Sequence, residues 1–243
     1  MSADCDKIKA ALRCKGMIPI FTALYNTLIA GKAWMLLLKG LWVTVQISAL
    51  ALLLGTLLGA LICAMRRSRV AILQGFAKLY IAVLRGSPVL LLLMLLYYVV
   101  FARSPLDAVF VAVIAFGLNT AAYVAELMRS ALDATDKGQA EAARTLGVSR
   151  WEAFRLITLP QAAEIAEPVY QSTIVNLIQW TSVVGYVTIT DLTRVINNIS
   201  SRTMQPLMMI VVGIVLYLAL AYIVNGVFAL LRIIKEHRRA RKA

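Results

Sequence analysis

The chain has 243 residues, 61% of them hydrophobic and only 15% charged, with a mean hydropathy of +0.80. That is too apolar for a soluble domain and reads as an integral membrane protein. Its net charge of +13 invites a nucleic-acid reading, but the basic residues flank apolar runs, as the positive-inside bias of membrane proteins requires, so no nucleic-acid partner is assigned. A single histidine, His237, and three cysteines, Cys5, Cys14 and Cys63, at no metal or redox spacing leave catalysis and metal binding almost nothing to build on, so no catalytic residue, metal ligand or cofactor is assigned.

Residues 1–40 read as an N-terminal interfacial segment. Asp4 and Asp6 interrupt any signal-peptide pattern. The apolar run 17–30 is only 14 residues long, short of the roughly 20 that a helical span needs, and suits an interfacial helix; its basic flank leaves a sixth span with the N-terminus inside as the alternative.

From residue 41 to 235 the pattern is that of a transmembrane domain: an all-α bundle of about five spans, placed at 41–65, 88–102, 106–128, 169–189 and 206–233. The second is short unless it begins near Leu79. Span one aligns Thr44, Ser48, Ala51, Gly55 and Gly59 on one face, a small-residue seam for close helix packing, within the subunit or against a second one. Span three carries Asn119 deep in the membrane and Glu126 towards its end. Glu126 reads either as half of a local pair with Arg129 or as a group facing a cavity, and Asn119 either as path lining or as a helix–helix hydrogen bond.

A polar insertion, 130–168, separates spans three and four. Its signals spell helix, bend, helix. Asp136 with Gln139 predicts a capping box, Gly147 a left-handed helix end, Ser149 with Glu152 a second capping box, and Pro160 a stop for the second helix. Leu146, Trp151 and Leu159 are the expected anchors of the hairpin's own packing. In span four, Ser172, Asn176 and Gln179 fall at i, i+4 and i+7, a polar stripe that lines a hydrophilic path or else supplies interhelical hydrogen bonds. Residues 190–205 are polar, and 236–243 form a basic tail. Lys and Arg concentrate before span two, in the insertion and in the tail, whereas the opposite loops hold only Arg103, Arg194 and Arg202, which predicts that insertion and C-terminus are cytoplasmic.

The order Glu141-Ala142-Ala143, three residues, Gly147, nine residues, Ile157-Thr158-Leu159-Pro160 resembles the cytoplasmic coupling loop of ABC-importer permease subunits. Arg85-Gly86-Ser87-Pro88, Asn119-Thr120-Ala121-Ala122-Tyr123 and Thr181-Ser182-Val183-Val184-Gly185 extend the similarity to the polar amino-acid permease family, from about Gly40 onwards. The resemblance implies a non-enzymatic, multi-pass permease of the bacterial cytoplasmic membrane, paired with a second permease subunit, identical or not. It also implies ATP-binding-cassette ATPase subunits at the hairpin and an extracytoplasmic solute-binding protein or domain on the opposite face. Glu141, Ala142, Ala143, Arg144, Gly147 and Ser149 are the implied ATPase-coupling residues, and Asn119, Glu126, Ser172, Asn176 and Gln179 the candidate path. Where family members often carry lysine this chain has Gln179, so the resemblance assigns no charge there. The implied solute is glutamine, glutamate or a relative. Methionine, osmoprotectant or phosphonate permeases share related loops, and a self-contained channel or membrane scaffold is the alternative of a different class. The chain itself holds no P-loop, since Gly31-Lys32 is followed by Ala33. An ATP-driven transporter built on it therefore draws its motor from another polypeptide.

Overall fold

The computed structural model describes residues 32–240, whose regular structure is entirely helical; the predicted segment 17–30 lies outside the described residues. Helix α1 (Ala33–Arg66) begins ahead of the expected boundary at 41. It is followed by α2 (Ala71–Gly86), α3 (Val89–Leu95) with a π turn at Leu96–Val100, and α4 (Ala108–Asp133). The insertion supplies α5 (Lys137–Thr145) and α6 (Arg150–Ala153), then a π turn at Phe154–Thr158 leads into α7 (Leu159–Trp180). A 3₁₀ turn (Thr181–Val187), α8 (Leu192–Thr203) and α9 (Pro206–Ala240) complete the chain.

Three of these helices are long and apolar enough to cross a bilayer: Ala33–Arg66, Ala108–Asp133 and Pro206–His237. A fourth crossing is available if α2 and α3 with its π turn count as one broken span, bent by 106°. On that count the predicted span at 88–102 is the second limb of the bent pair. Helix α7 starts ten residues before the expected 169, running through Glu164, Glu167 and Pro168. The two carboxylates lower its hydropathy, and Glu167 is matched by Arg232 at 2.6 Å and Lys235 at 3.1 Å from α9. Pro168 lies inside α7 on its exposed side, where it leaves the Glu164 carbonyl without an i+4 amide, and the helix continues through it.

Helix α4 is the centre of the bundle. Its most apolar stretch is 67% buried, against 17% for that of α9, whose large aliphatic residues face outward. The small-residue face of α1 packs on α4 within the subunit. A Cβ added to Gly55 would stand 2.7 Å from that of Thr120, and one on Gly59 2.8 Å from that of Val124. Only glycine permits this approach, and Thr44, Ser48 and Ala51 continue the same buried seam. Phe116, Ile47, Leu93, Leu177 and Val184 fill the core that joins α1, α3, α4, α7 and the 3₁₀ turn. A second core, with Leu37, Leu192, Ile196 and Met209, clamps α8 between the starts of α1 and α9. Asp191 caps α8 through the amides of Thr193 and Arg194, and the Thr44 hydroxyl accepts from the Leu192 amide at 3.3 Å.

Candidate coupling hairpin and solute path

The bend between α5 and α6 follows from backbone chemistry. After Thr145 the chain must leave the helix while still engaging its last carbonyls. Gly147 takes the left-handed conformation at φ +89°, its amide donating to the Arg144 carbonyl and that of Val148 to the Ala143 carbonyl, both within 3.2 Å. That pair of bonds is a complete Schellman motif. Two residues on, Ser149 opens α6 with the predicted capping box: the Glu152 amide donates to the Ser149 hydroxyl at 3.2 Å and the Ser149 amide to the Glu152 carboxylate at 3.1 Å. Hydrogen bonds from the Ser149 hydroxyl and amide hold the Glu152 carboxyl below its ordinary range. This stabilisation is present above the usual carboxylate pKa and is lost as the pH falls through the lowered value.

Three expectations for the hairpin are corrected. Asp136 caps α5 without a box: its carboxylate accepts from the Gly138 amide at 2.8 Å. Gln139, the intended second member, instead accepts from the Gln161 amide group at 2.6 Å, tying the first arm of the hairpin to α7. Pro160 does not end the second helix. It falls in the first turn of α7, where a missing amide is tolerated, and the π turn before it shifts the bonding frame so that the Leu159 amide reaches the Phe154 carbonyl. The chain is thus helical without interruption from Arg150 to Trp180. Finally, Leu146 and Trp151 anchor no internal packing. They are 85% and 66% exposed, Trp151 stacks only on Phe154, and Leu159 is also exposed; Ala143 and Ala153 are the small residues the hairpin buries. Glu141, Ala142, Arg144, Gly147 and Ser149 all lie on the exposed surface around this apolar tip.

Where α4 enters the hairpin, charges are matched in a chain. Arg129 binds Glu126 at 2.6 Å and Asp133 at 2.7 Å, and Asp133 also pairs with Arg67 at the end of α1. Glu126 therefore sits in the local i, i+3 pair. Arg67 and Asp133 escaped the sequence reading, because a pair between two distant helix ends leaves no spacing signal. Nearby, α1, α4, α7 and α9 enclose a largely apolar groove of about 1110 Å³ that includes Cys63, Met128, Phe154 and Phe228, with the Thr56–Tyr170 hydroxyl bond at 2.7 Å on one wall.

On α7, Ser172, Asn176 and Gln179 are exposed along one face of the chain. The Ser172 hydroxyl turns back to the Pro168 carbonyl at 3.1 Å, so the stripe makes no bond to another helix of the subunit among the described residues. Asn119, by contrast, is buried in α4. The hydrogen bonds that link α7 to neighbouring helices come instead from other positions, among them Gln139–Gln161, Thr56–Tyr170, Gln171 with Asn225 at 2.7 Å and Arg232 at 3.1 Å, and those of Glu167.

Residues 51–232 match the model of a family described as binding-protein-dependent transport system inner membrane component. Among similar proteins, the probable amino-acid ABC transporter permease protein YckA of Bacillus subtilis (strain 168) is 36% identical over 201 residues, covering 82% of this chain and 89% of the relative. The L-cystine transport system permease protein TcyB of the same organism is 30% identical, covering 78% of this chain and 81% of that one. A chain from the crystal structure of an amino acid ABC transporter with histidines superposes with a TM-score of 0.76 at 30% identity, covering 84% of this chain and 96% of that chain.

Proposed function

The chain belongs to the binding-protein-dependent transport system inner membrane component family, and from that membership we infer that it is the membrane permease subunit of an ATP-driven ABC importer whose solute is an amino acid. The solute class comes from the relatives, which are described as amino-acid and L-cystine permeases. Every α-amino acid shares an ammonium and a carboxylate, so the path must accommodate a compact, strongly hydrated zwitterion.

The observation that carries the mechanism is the unbroken helical run from Arg150 to Trp180. It begins at the exposed bend and ends at the exposed polar stripe of Ser172, Asn176 and Gln179. A push on the bend is delivered along a rod rather than absorbed by a loop. The ATPase docks on the hairpin from the cytoplasm, with Leu146 and Trp151 as apolar anchors and Glu141 and Arg144 as polar contacts around them. An exposed aromatic flanked by charges is the composition expected of an interface centre. Closure of the ATPase dimer moves the hairpin, whose first arm Gln139–Gln161 ties to α7, so that α7 follows and the path alternates between the two sides of the membrane. The α7 stripe, left bare by this subunit, faces the path shared with a second permease subunit, and the five crossings of the sequence reading arise when α7 with its 3₁₀ turn joins the apolar spans.

Purification of the tagged chain from membranes tests this reading. An ATPase should co-purify, and uptake of a labelled amino acid into proteoliposomes should require that ATPase, ATP and a solute-binding protein. Transport by the chain alone would overturn the assignment in favour of a self-contained channel.

A further inference from the structure

Arg85, Gly86, Ser87 and Pro88 are exposed where α2 breaks into α3 and the chain turns by 106°. Lipid offers no hydrogen-bond partner, so non-helical backbone at membrane depth persists only where protein buries it or where it lines a water-filled cavity. This subunit does not bury the break. Gly/Pro interruption of a span is also a recurrent mark of binding sites in transporters.

The depth of the break is set by its neighbour. The Arg85 guanidinium lies 5.1 Å over the ring of Tyr123. Tyr123 lies one turn before Glu126, about 7–8 Å inside the end of the 106–128 span at about 1.5 Å per residue. A cation at that depth is costly without a partner. Arg85 makes no ion pair within 4 Å among the described residues; its charge acts on Glu126, but that carboxylate is held by Arg129, and Asp133 by Arg129 and Arg67. Tyr123 leans in turn on Trp180, ring centroids 5.2 Å apart. Trp180 adjoins Gln179, and Asn119 lies one turn from Tyr123 on α4. The arginine–tyrosine–tryptophan stack therefore joins the broken span to both helices that carry the candidate path.

We propose that Arg85 is the specificity-determining cation of the solute path and binds the carboxylate of the transported amino acid at the α2–α3 break, with Tyr123 and Trp180 holding the guanidinium in place. The site rests on the amino-acid permease reading and extends it to a named residue. Resting one face of the guanidinium on an aromatic ring leaves its edge free, and that edge offers two parallel N–H donors matched to the two oxygens of a carboxylate. Lysine keeps the charge but not the fork, so Arg85→Lys is an intermediate rather than a silent change.

The test is equilibrium binding of labelled L-glutamine, L-glutamate and L-cystine to the permease–ATPase complex in lipid nanodiscs, at fixed ionic strength. The parent complex should bind at least one of them and should bind its α-carboxamide at least tenfold more weakly. Arg85→Gln should lose the acid by a similar factor, Arg85→Lys should fall between, and Tyr123→Phe should retain binding whereas Tyr123→Leu should not. Unchanged affinity in Arg85→Gln overturns the proposal, as does a parent that treats acid and carboxamide alike. So does a parent complex that assembles with its ATPase yet binds none of the three. If Arg85→Gln loses assembled complex in proportion to binding, and Arg85→Lys restores assembly without restoring discrimination, the arginine serves lipid phosphate or subunit packing and the proposal falls. Failure of the parent to assemble with any ATPase is a different result, which removes the permease reading itself.

Discussion

Gly147 shows how a single backbone angle sets what the hairpin can do. A Cβ placed there would meet nothing within 4 Å, so a side chain is excluded by conformation and not by space. At φ +89° an L-residue gives up about 1–2 kcal/mol, and a β-branched one is the worst case. Gly147→Val should therefore leave the protein inserted and assembled but disrupt the Schellman bonds, so that the ATPase turns over without matched uptake. Gly147→Asn, which tolerates the left-handed region, should keep the two in step. The measurement is solute taken up per ATP hydrolysed in reconstituted complex; normal coupling in Gly147→Val would remove the bend from the mechanism. This residue was readable from sequence because its role is local: the helix end, the Gly and the following Ser149–Glu152 box lie within a few positions. Gln139 was misread for the opposite reason. Its partner, Gln161, is 22 residues away, and a polar side chain with two possible partners takes the one that tertiary structure brings.

At the level of elements, the α1–α4 seam was legible and its partner was not. Small residues at i, i+4 spacing announce close packing, but nothing in the spacing names the helix that will approach. The structure answers with Thr120 and Val124. Gly59→Val would place a branched side chain where a Cβ already stands 2.8 Å from Val124, and the overpacking should cost on the order of 1–3 kcal/mol. Thermal unfolding in detergent should show a lower midpoint for Gly59→Val and none of that loss for Gly75→Ala, since Gly75 has nothing within 4 Å. An unchanged midpoint in Gly59→Val would mean that the seam is slack. The proline signals show the limit of punctuation rules. Pro160 reads as a stop for the second hairpin helix, yet a π turn places it in the first turn of α7, and α7 also continues through Pro168. The consequence is functional, since a stop at Pro160 would have cut the rod that joins bend to stripe.

At the scale of the whole molecule, composition and charge bias carry most of the sequence's information, and the long-range pairs carry what it lacked. The apolar runs located α1, α4 and α9, whereas α7 was placed too late because Glu164 and Glu167 read as solvent-exposed insertion. Glu167 is held against α9 by Arg232 and Lys235, 65 and 68 residues further on, an arrangement that no local window reveals. The orientation of the bundle rests on the basic residues gathered at one end: Arg66 and Arg67 close α1, Arg144 and Arg150 flank the bend, and Arg232 and Lys235 lie near the end of α9. Translocation retains such loops on the cytoplasmic side. Hence the hairpin should be unreachable from outside the cell. Single cysteines replacing Glu141, Arg144 or Ser149, all exposed, should react with a membrane-impermeant thiol reagent only after the cytoplasmic side is opened. The same three positions should crosslink to the ATPase in membranes, because they surround the apolar tip formed by Leu146 and Trp151. Cys5 and Cys14 are first replaced by serine, and the parent chain retaining only the buried Cys63 gives the background in both conditions. Labelling from outside intact cells would invert the topology. Labelling from inside without any crosslink would leave the orientation standing and remove the hairpin as the docking surface.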